Sequence, residues 1–226
     1  MTATAPRGPF TGVAEARRAL GEGTAVVLPN PAPLTYVLAG TVPGAVNTAK
    51  GRPAGQAVAL WAHHPDTLTA FDASSALDAG HARTARRLLE EELLTLLVPL
   101  RRDVPCPGWL SPAVRDGWAL LFGARWTPLL PVLAGCPLLY VSSANRTGRP
   151  PAATASDATA MFPPPVPVLT SDTLTGRHEE TRAPRRATTT VRIHPDGRLE
   201  LHRHGAQDHA YPTAAAYLRH LTTDQP

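Results

Sequence analysis

Alternation constrains this chain most. Short apolar runs of β type keep trading places with helical stretches, and no long gap separates them. The pattern predicts a helix over 11–20, capped by Thr11 and stopped by Gly21 and Gly23. A buried strand follows over 24–29, then an extended stretch over 34–39. A short helix over 42–49 ends at Gly51 and Pro53, because a Gly followed by a Pro stops a helix. A strand over 56–62 and a helix over 65–71 come next, then the strongest helix, over 76–94, rich in Ala, Arg, Leu and Glu. It runs into a β-rich segment over 93–100, followed by a Pro/Gly loop over 101–112. Beyond it the pattern gives a strand over 117–124, a helix over 128–134, a strand over 137–142 and a helix over 156–161. Strands over 166–170, 187–193 and 199–203 and a closing helix over 212–221 complete the chain.

Such alternation predicts a single α/β domain over 1–226, with a core over roughly 11–205 and the closing helix packed onto it. At 226 residues the chain is long enough to bury a core without metals or disulfides. The Pro-rich loops do not read as a domain linker, because each flanking half is too small to hold a core alone. The two cysteines, Cys106 and Cys136, form no C-x-x-C pair, which excludes a disulfide scaffold and a zinc ribbon. No apolar run reaches the roughly 18 residues of a membrane helix. Residues 1–9 lack the apolar stretch of a signal peptide, so the expected compartment is the cytoplasm.

The formal charge of +4 admits phosphate, nucleotide or nucleic-acid partners without demanding them. Of the 22 basic residues, Lys50 is the single lysine. Arginine is a planar fork and lysine a compact point charge on a thin stem, so a lone lysine marks a place where a fork would not serve. The densest basic group is Arg177, Arg182, Arg185 and Arg186; diluted by Glu179 and Glu180, it reads as a solvated loop. His202, His204, Asp208 and His209 read as an exposed polar face rather than metal ligands. The P-loop, the dinucleotide-binding glycine fingerprint and the nucleophile elbow are absent.

Two segments stand above this background. Lys50–Gly51–Arg52–Pro53 sets an ammonium and a guanidinium two residues apart on irregular chain, which suits a polyphosphate. The segment 141–151 (VSSANRTGRPP) is a strand end opening into Ser142, Ser143, Asn145 and Thr147. These side chains offer donors to an anion and oxygens to magnesium, at the sheet position where α/β folds bind ligands.

Together these segments resemble the YrdC-like threonylcarbamoyl-AMP synthases. That family carries K-x-R-[PS], matched by Lys50, Arg52 and Pro53, and [ST]-S-A-N-x-[ST]-G, matched by Ser142, Ser143, Ala144, Asn145, Thr147 and Gly148. Its P-T-E-T-V-Y-G-L motif is represented by Pro29 and, after an insertion, 35–40 (TYVLAG). Of its W-P-G-P-x-T segment only Thr95 remains. Arg125 stands for its arginine-bearing strand, 189–191 for its S-T-V strand and 203–205 for its L-R-x-G turn. The chain departs from the pattern at 30–34, at Glu91–Glu92–Leu93 in place of P-G-P, and at Trp61, where some relatives carry a histidine.

The resemblance implies a twisted mixed sheet with surrounding helices and a basic concave cleft. It implies a nucleotidyltransferase that uses ATP with Mg²⁺, bicarbonate and L-threonine to form threonylcarbamoyl-AMP for modification of tRNA adenosine 37. Lys50 and Arg52 would carry the catalysis and bind the triphosphate. Ser143, Asn145, Thr189 and Arg203 would complete the ATP site, the metal being held through the phosphates. Thr35 and Tyr36 would face the amino acid. The nucleotide-side motifs are better kept than the amino-acid side, so two alternatives stand: a carbamoyl-adenylate enzyme acting on another amine, and a non-catalytic nucleotide- or RNA-binding module. tRNA and tRNA-modification proteins are the implied macromolecular partners.

Overall fold

The structure is a computed structural model and describes residues 10–176 and 184–223. Its helices are α1 (Val13–Gly21), α2 (Pro43–Ala49), α3 (Pro65–Asp72), α4 (Ala79–Glu90), α5 (Leu130–Leu133), α6 (Ala155–Met161), α7 (Ser171–Thr175) and α8 (Ala214–Thr223). Its strands are β1 (Val26–Leu28), β2 (Val37–Gly40), β3 (Ala59–Trp61), β4 (Thr95–Pro99), β5 (Val114–Arg115), β6 (Trp118–Phe122), β7 (Tyr140–Ser143), β8 (Thr190–Ile193) and β9 (Leu199–Arg203). They form one mixed sheet in the order β1-β2-β7-β3-β6-β4-β8-β9, with β5 paired to the start of β6. The pairs β3–β6 and β4–β8 are parallel and the remainder antiparallel.

Both faces of the sheet are covered, which is why its strands read as continuous apolar runs rather than as alternations. Val27, Leu38, Leu60, Leu96, Leu121 and Val191 point to one face. There they meet Val46 of α2, Leu68 and Phe71 of α3, Leu88 and Leu89 of α4, and Tyr217 and Leu221 of α8. Val26, Leu28, Val37, Ala39, Ala59, Trp61, Phe122 and Val141 point to the other face, against α1 and α5. Trp61 is fully buried in this second layer. Its Nε1 donates to Ala124 O at 2.8 Å and its ring meets Phe122 edge-on. No helix is long and apolar enough, among the described residues, to cross a membrane.

Several expectations need correction. The first helix has Gly12, not Thr11, at its cap, and no side chain caps it. The long helix is shorter than 76–94: Asp78 opens it by accepting from His81 N at 2.8 Å, it ends at Glu90, and Leu93, at a φ of 54°, lies beyond it. The segment 166–170 is not a strand. Pro167 has no N–H to give a ladder, so pairing shrinks to single bridges at Val168 and Leu169. Thr170 then caps α7 by accepting from Thr173 N at 3.0 Å. Conversely, β5 and β6 form a hairpin across Asp116 and Gly117, both at positive φ. An Asp-Gly pair is a signal for that tight turn, and it stood in the sequence unread.

Candidate functional site

A cleft of about 350 Å³ opens on the α1/α5 face of the sheet. Its floor is Val37 of β2, Val141 of β7, Ala59 of β3, Leu120 and Phe122 of β6, and Thr95 of β4. One wall is built by Asn30, Leu34 and Thr35, another by the turns that carry Lys50, Arg52, Ser143, Asn145 and Thr147, and a third by Ala187, Thr188 and Arg203. Among the described residues no Asp or Glu lines it.

Lys50 closes the C-terminal end of α2, and Gly51, at a φ of 67°, turns the chain back so that Arg52 enters the same cleft. That left-handed conformation favours glycine, since a side chain there is strained. Lys50 is 3% exposed. Its Nζ donates to the Ser143 carbonyl and, at 2.8 Å, to Asn145 Oδ1. Ser143 Oγ donates to the same Oδ1 at 2.6 Å. Asn145 Nδ2 donates to the carbonyls of Arg146 at 3.1 Å and Arg149 at 2.7 Å, which pins the turn after β7. The ammonium is therefore enclosed by neutral oxygens. Burial, and secondarily the Arg52 guanidinium, pull its pKa down from 10.5 to about 7. Arg52 Nε donates to Asn47 Oδ1 at 2.5 Å, while its Nη2 is buried without a partner among the described residues. Two cations beside each other, with no carboxylate among the described lining residues, make a site for an anion.

Thr35 lines the cleft, and Tyr36 does not. Successive residues of extended chain point to opposite faces, so the Tyr36 ring enters the opposite core, with the Arg185 guanidinium 5.8 Å from its centroid. Thr189 is likewise turned away. It is fully buried, donates from Oγ1 to Asp208 Oδ1 at 2.6 Å and accepts from the backbone N–H groups of Gln207 and Asp208. Its neighbour Thr188 faces the cleft and shares a hydrogen bond of 2.6 Å with Thr95. In a run of three threonines, matching a motif does not decide which one points inward. Arg203 lines the cleft and donates to Thr188 O at 3.3 Å.

Arg125 is outside the cleft lining; its Nη2 donates to Ala62 O at 3.1 Å and Glu90 Oε1 at 3.0 Å. Trp61, Glu91 and Glu92 are also outside the lining. Arg185 is half-buried rather than free in a solvated loop: it donates to the carbonyls of Asn30 at 3.0 Å and Leu34 at 2.7 Å. Arg177, Glu179, Glu180 and Arg182 lie outside the described residues. Among the described residues no group of three His, Cys, Asp or Glu could hold a metal, and His204 is engaged with Asp208 at 2.5 Å. The departure from the family pattern at 30–34 supplies two of the cleft-wall residues, Asn30 and Leu34. Their signal was present in the insertion itself, because residues inserted beside a binding strand must lie somewhere near it.

The sequence matches no protein-family profile, and no curated protein matches it. Solved structures do match in fold. P. abyssi Sua5 complexed with L-threonine superposes with a TM-score of 0.62 at 19% identity, covering 85% of this chain and 54% of the other. E. coli YciO gives 0.61 at 13% identity, covering 86% and 89%. Full-length HypF in its phosphate- and nucleotide-bound form gives 0.59 at 12% identity, covering 89% and 30%. The chain thus spans a little over half the length of the Sua5 chains it matches. At these identities the likeness establishes a shared fold, and it is the fold that the YrdC-like motifs imply.

Proposed function

We propose that this protein forms a carbamoyl-adenylate from ATP, bicarbonate and an amine, as a nucleotidyltransferase resembling L-threonylcarbamoyladenylate synthase, and serves tRNA adenosine-37 modification. The observation that carries this reading is the convergence of Lys50, Arg52, Ser143 and Asn145 in a cleft lined, among the described residues, by no carboxylate. The fold neighbours add to it: one was solved with L-threonine and another with phosphate and nucleotide.

In the proposed reaction the neutral amine and bicarbonate condense to a carbamate with loss of water. A carbamate oxygen then attacks the α-phosphorus of ATP. The new O–P bond forms as the bond to the β-phosphate oxygen breaks, and pyrophosphate leaves. Lys50 and the terminal nitrogens of Arg52 neutralise the charge that develops on that leaving group. The hydroxyls and amides of the lining, which has no carboxylate among the described residues, fit Mg²⁺ arriving on the triphosphate, with Ser143 and Thr147 as neutral oxygen partners. Bound there, the ion supplies further charge neutralisation. Thr35 is the side chain left to meet the amine, and Thr188 and Arg203 close the far wall. Most of the rate enhancement in this reading is positioning and electrostatics.

Pyrophosphate release tests it. Release that needs ATP, bicarbonate and an amine together supports the reading. ATP binding without release under any amine makes the protein a nucleotide-binding module. A second enzymatic reading, with an amine other than threonine, is favoured by the Asn30 and Leu34 walls, which come from the insertion.

A further inference from the structure

The turn bearing Lys50 and Arg52 is held from inside the fold by a residue to which neither motif nor mechanism gives a part. Asn47 lies in α2 and is 0% exposed. Its Nδ2 donates to Ala54 O and to Gln56 O, both at 2.7 Å. Its Oδ1 accepts from Arg52 Nε at 2.5 Å. The Arg52 backbone N–H returns to Asn47 O at 3.1 Å. The two carbonyls can only accept, so they fix the amide: its nitrogen must face Ala54 and Gln56, and its oxygen must face Arg52.

This arrangement does two things at once. It ties the irregular chain at 52–56 back to α2. It also pins one nitrogen of the guanidinium, which sets the plane of the fork. Neither terminal nitrogen of Arg52 has a partner among the described residues, and Nη2 is buried in that state. A carboxylate at position 47 would also accept from Nε, but its charge would compete with an incoming anion for Arg52. The neutral amide orients the guanidinium and leaves its charge uncompensated.

We propose that Asn47 is a positioning residue: it fixes the Arg52 guanidinium so that its free terminal nitrogens converge with Lys50 on the phosphates of the bound nucleotide. This rests on reading the cleft as an ATP site.

A double-mutant cycle on ATP affinity, measured by calorimetry with melting temperature alongside, tests it. Arg52→Ala and Asn47→Ala are each expected to weaken ATP by about ten-fold or more, the loss of a charge-assisted contact. The double variant is expected to be no weaker than Arg52→Ala alone. Additive losses, or an Asn47→Ala protein that binds ATP as the wild type does, would overturn the proposal while leaving the ATP site standing. Unchanged affinity in Arg52→Ala would remove the nucleotide reading of this wall, and the role of Asn47 with it. Asn47→Ser runs in parallel as the smaller perturbation, so that a failure of the alanine variant to fold does not end the test.

Discussion

Lys50 is a buried ammonium whose described partners are a carbonyl and an amide oxygen. Unfolded, it keeps its proton up to its ordinary value of 10.5; folded, only up to about 7. Between those two values the unfolded chain binds more protons, so stability rises with pH; below and above that window the contribution is flat. The ligand-free protein is therefore expected to gain melting temperature from pH 7 to 9, relative to Lys50→Met. ATP affinity should move the opposite way. A phosphate wants the ammonium, so affinity falls as pH rises past 7, by at most about one decade per unit for one proton taken up. Thermal melts and titrations across this range check both, and parallel curves for wild type and Lys50→Met would contradict the assignment. The residue scale is also where the sequence was most and least informative. A single lysine in an arginine-rich chain pointed to the centre of the cleft. Which of Thr188 and Thr189 faces inward, and that Tyr36 faces away, depends on side-chain direction, which a motif match does not carry.

At the scale of elements, the cleft wall at Thr188 and Arg203 depends on how closely β9 returns to the start of β8. Gly205 makes this approach. A Cβ there would sit 2.2 Å from Thr189 N, 2.4 Å from Thr188 C and 2.6 Å from Ala187 O. All three are backbone atoms and have no rotamer by which to yield. Asp208 clasps the same turn, accepting from Gly205 N at 2.7 Å and Thr189 Oγ1 at 2.6 Å. Gly205→Ala is therefore expected to cost about 1–3 kcal/mol by overpacking. It should lower the urea midpoint and weaken nucleotide binding together, because the displaced backbone carries Thr188. An unchanged midpoint would show that this approach is not tight. Most elements were legible from periodicity, because strands buried on both faces leave apolar runs and α4 carries strong helix formers. What was misread turned on single hydrogen bonds: Pro167 ending a ladder, Thr170 capping a helix, Asp116–Gly117 closing a hairpin.

At the scale of the molecule, the cleft is assembled from chain far apart in sequence, and its parts diverge unequally from the YrdC-like pattern. The wall at Lys50, Arg52, Ser143 and Asn145 keeps its motifs; the wall at Asn30, Leu34 and Thr35 comes from the insertion and the strand after it. Two of the three departures from that pattern lie outside the cleft: Trp61 is core, and Glu91–Glu92 follow the end of α4. The insertion alone lines the cleft. Its Leu34 joins Val37, Leu120, Phe122 and Val141 as apolar lining, and the hydroxyls of Thr95 and Thr188 are engaged with each other. A site that hydrogen-bonds a substrate hydroxyl rejects the analogue lacking it by orders of magnitude, whereas an apolar site separates near-isosteres by only about 10²-fold. L-threonine and L-valine differ by little else, so their ratio of kcat/KM in pyrophosphate release measures which kind of wall this is. A ratio within about 10² of unity would mean that the apolar lining governs, and would favour the second reading, an amine other than threonine, over the proposed tRNA role. A preference for threonine of about 10⁴ or more would assign the ordinary tRNA-modification substrate, and would locate its hydroxyl at Thr35, the threonine beside the insertion that the Thr95–Thr188 pair leaves out.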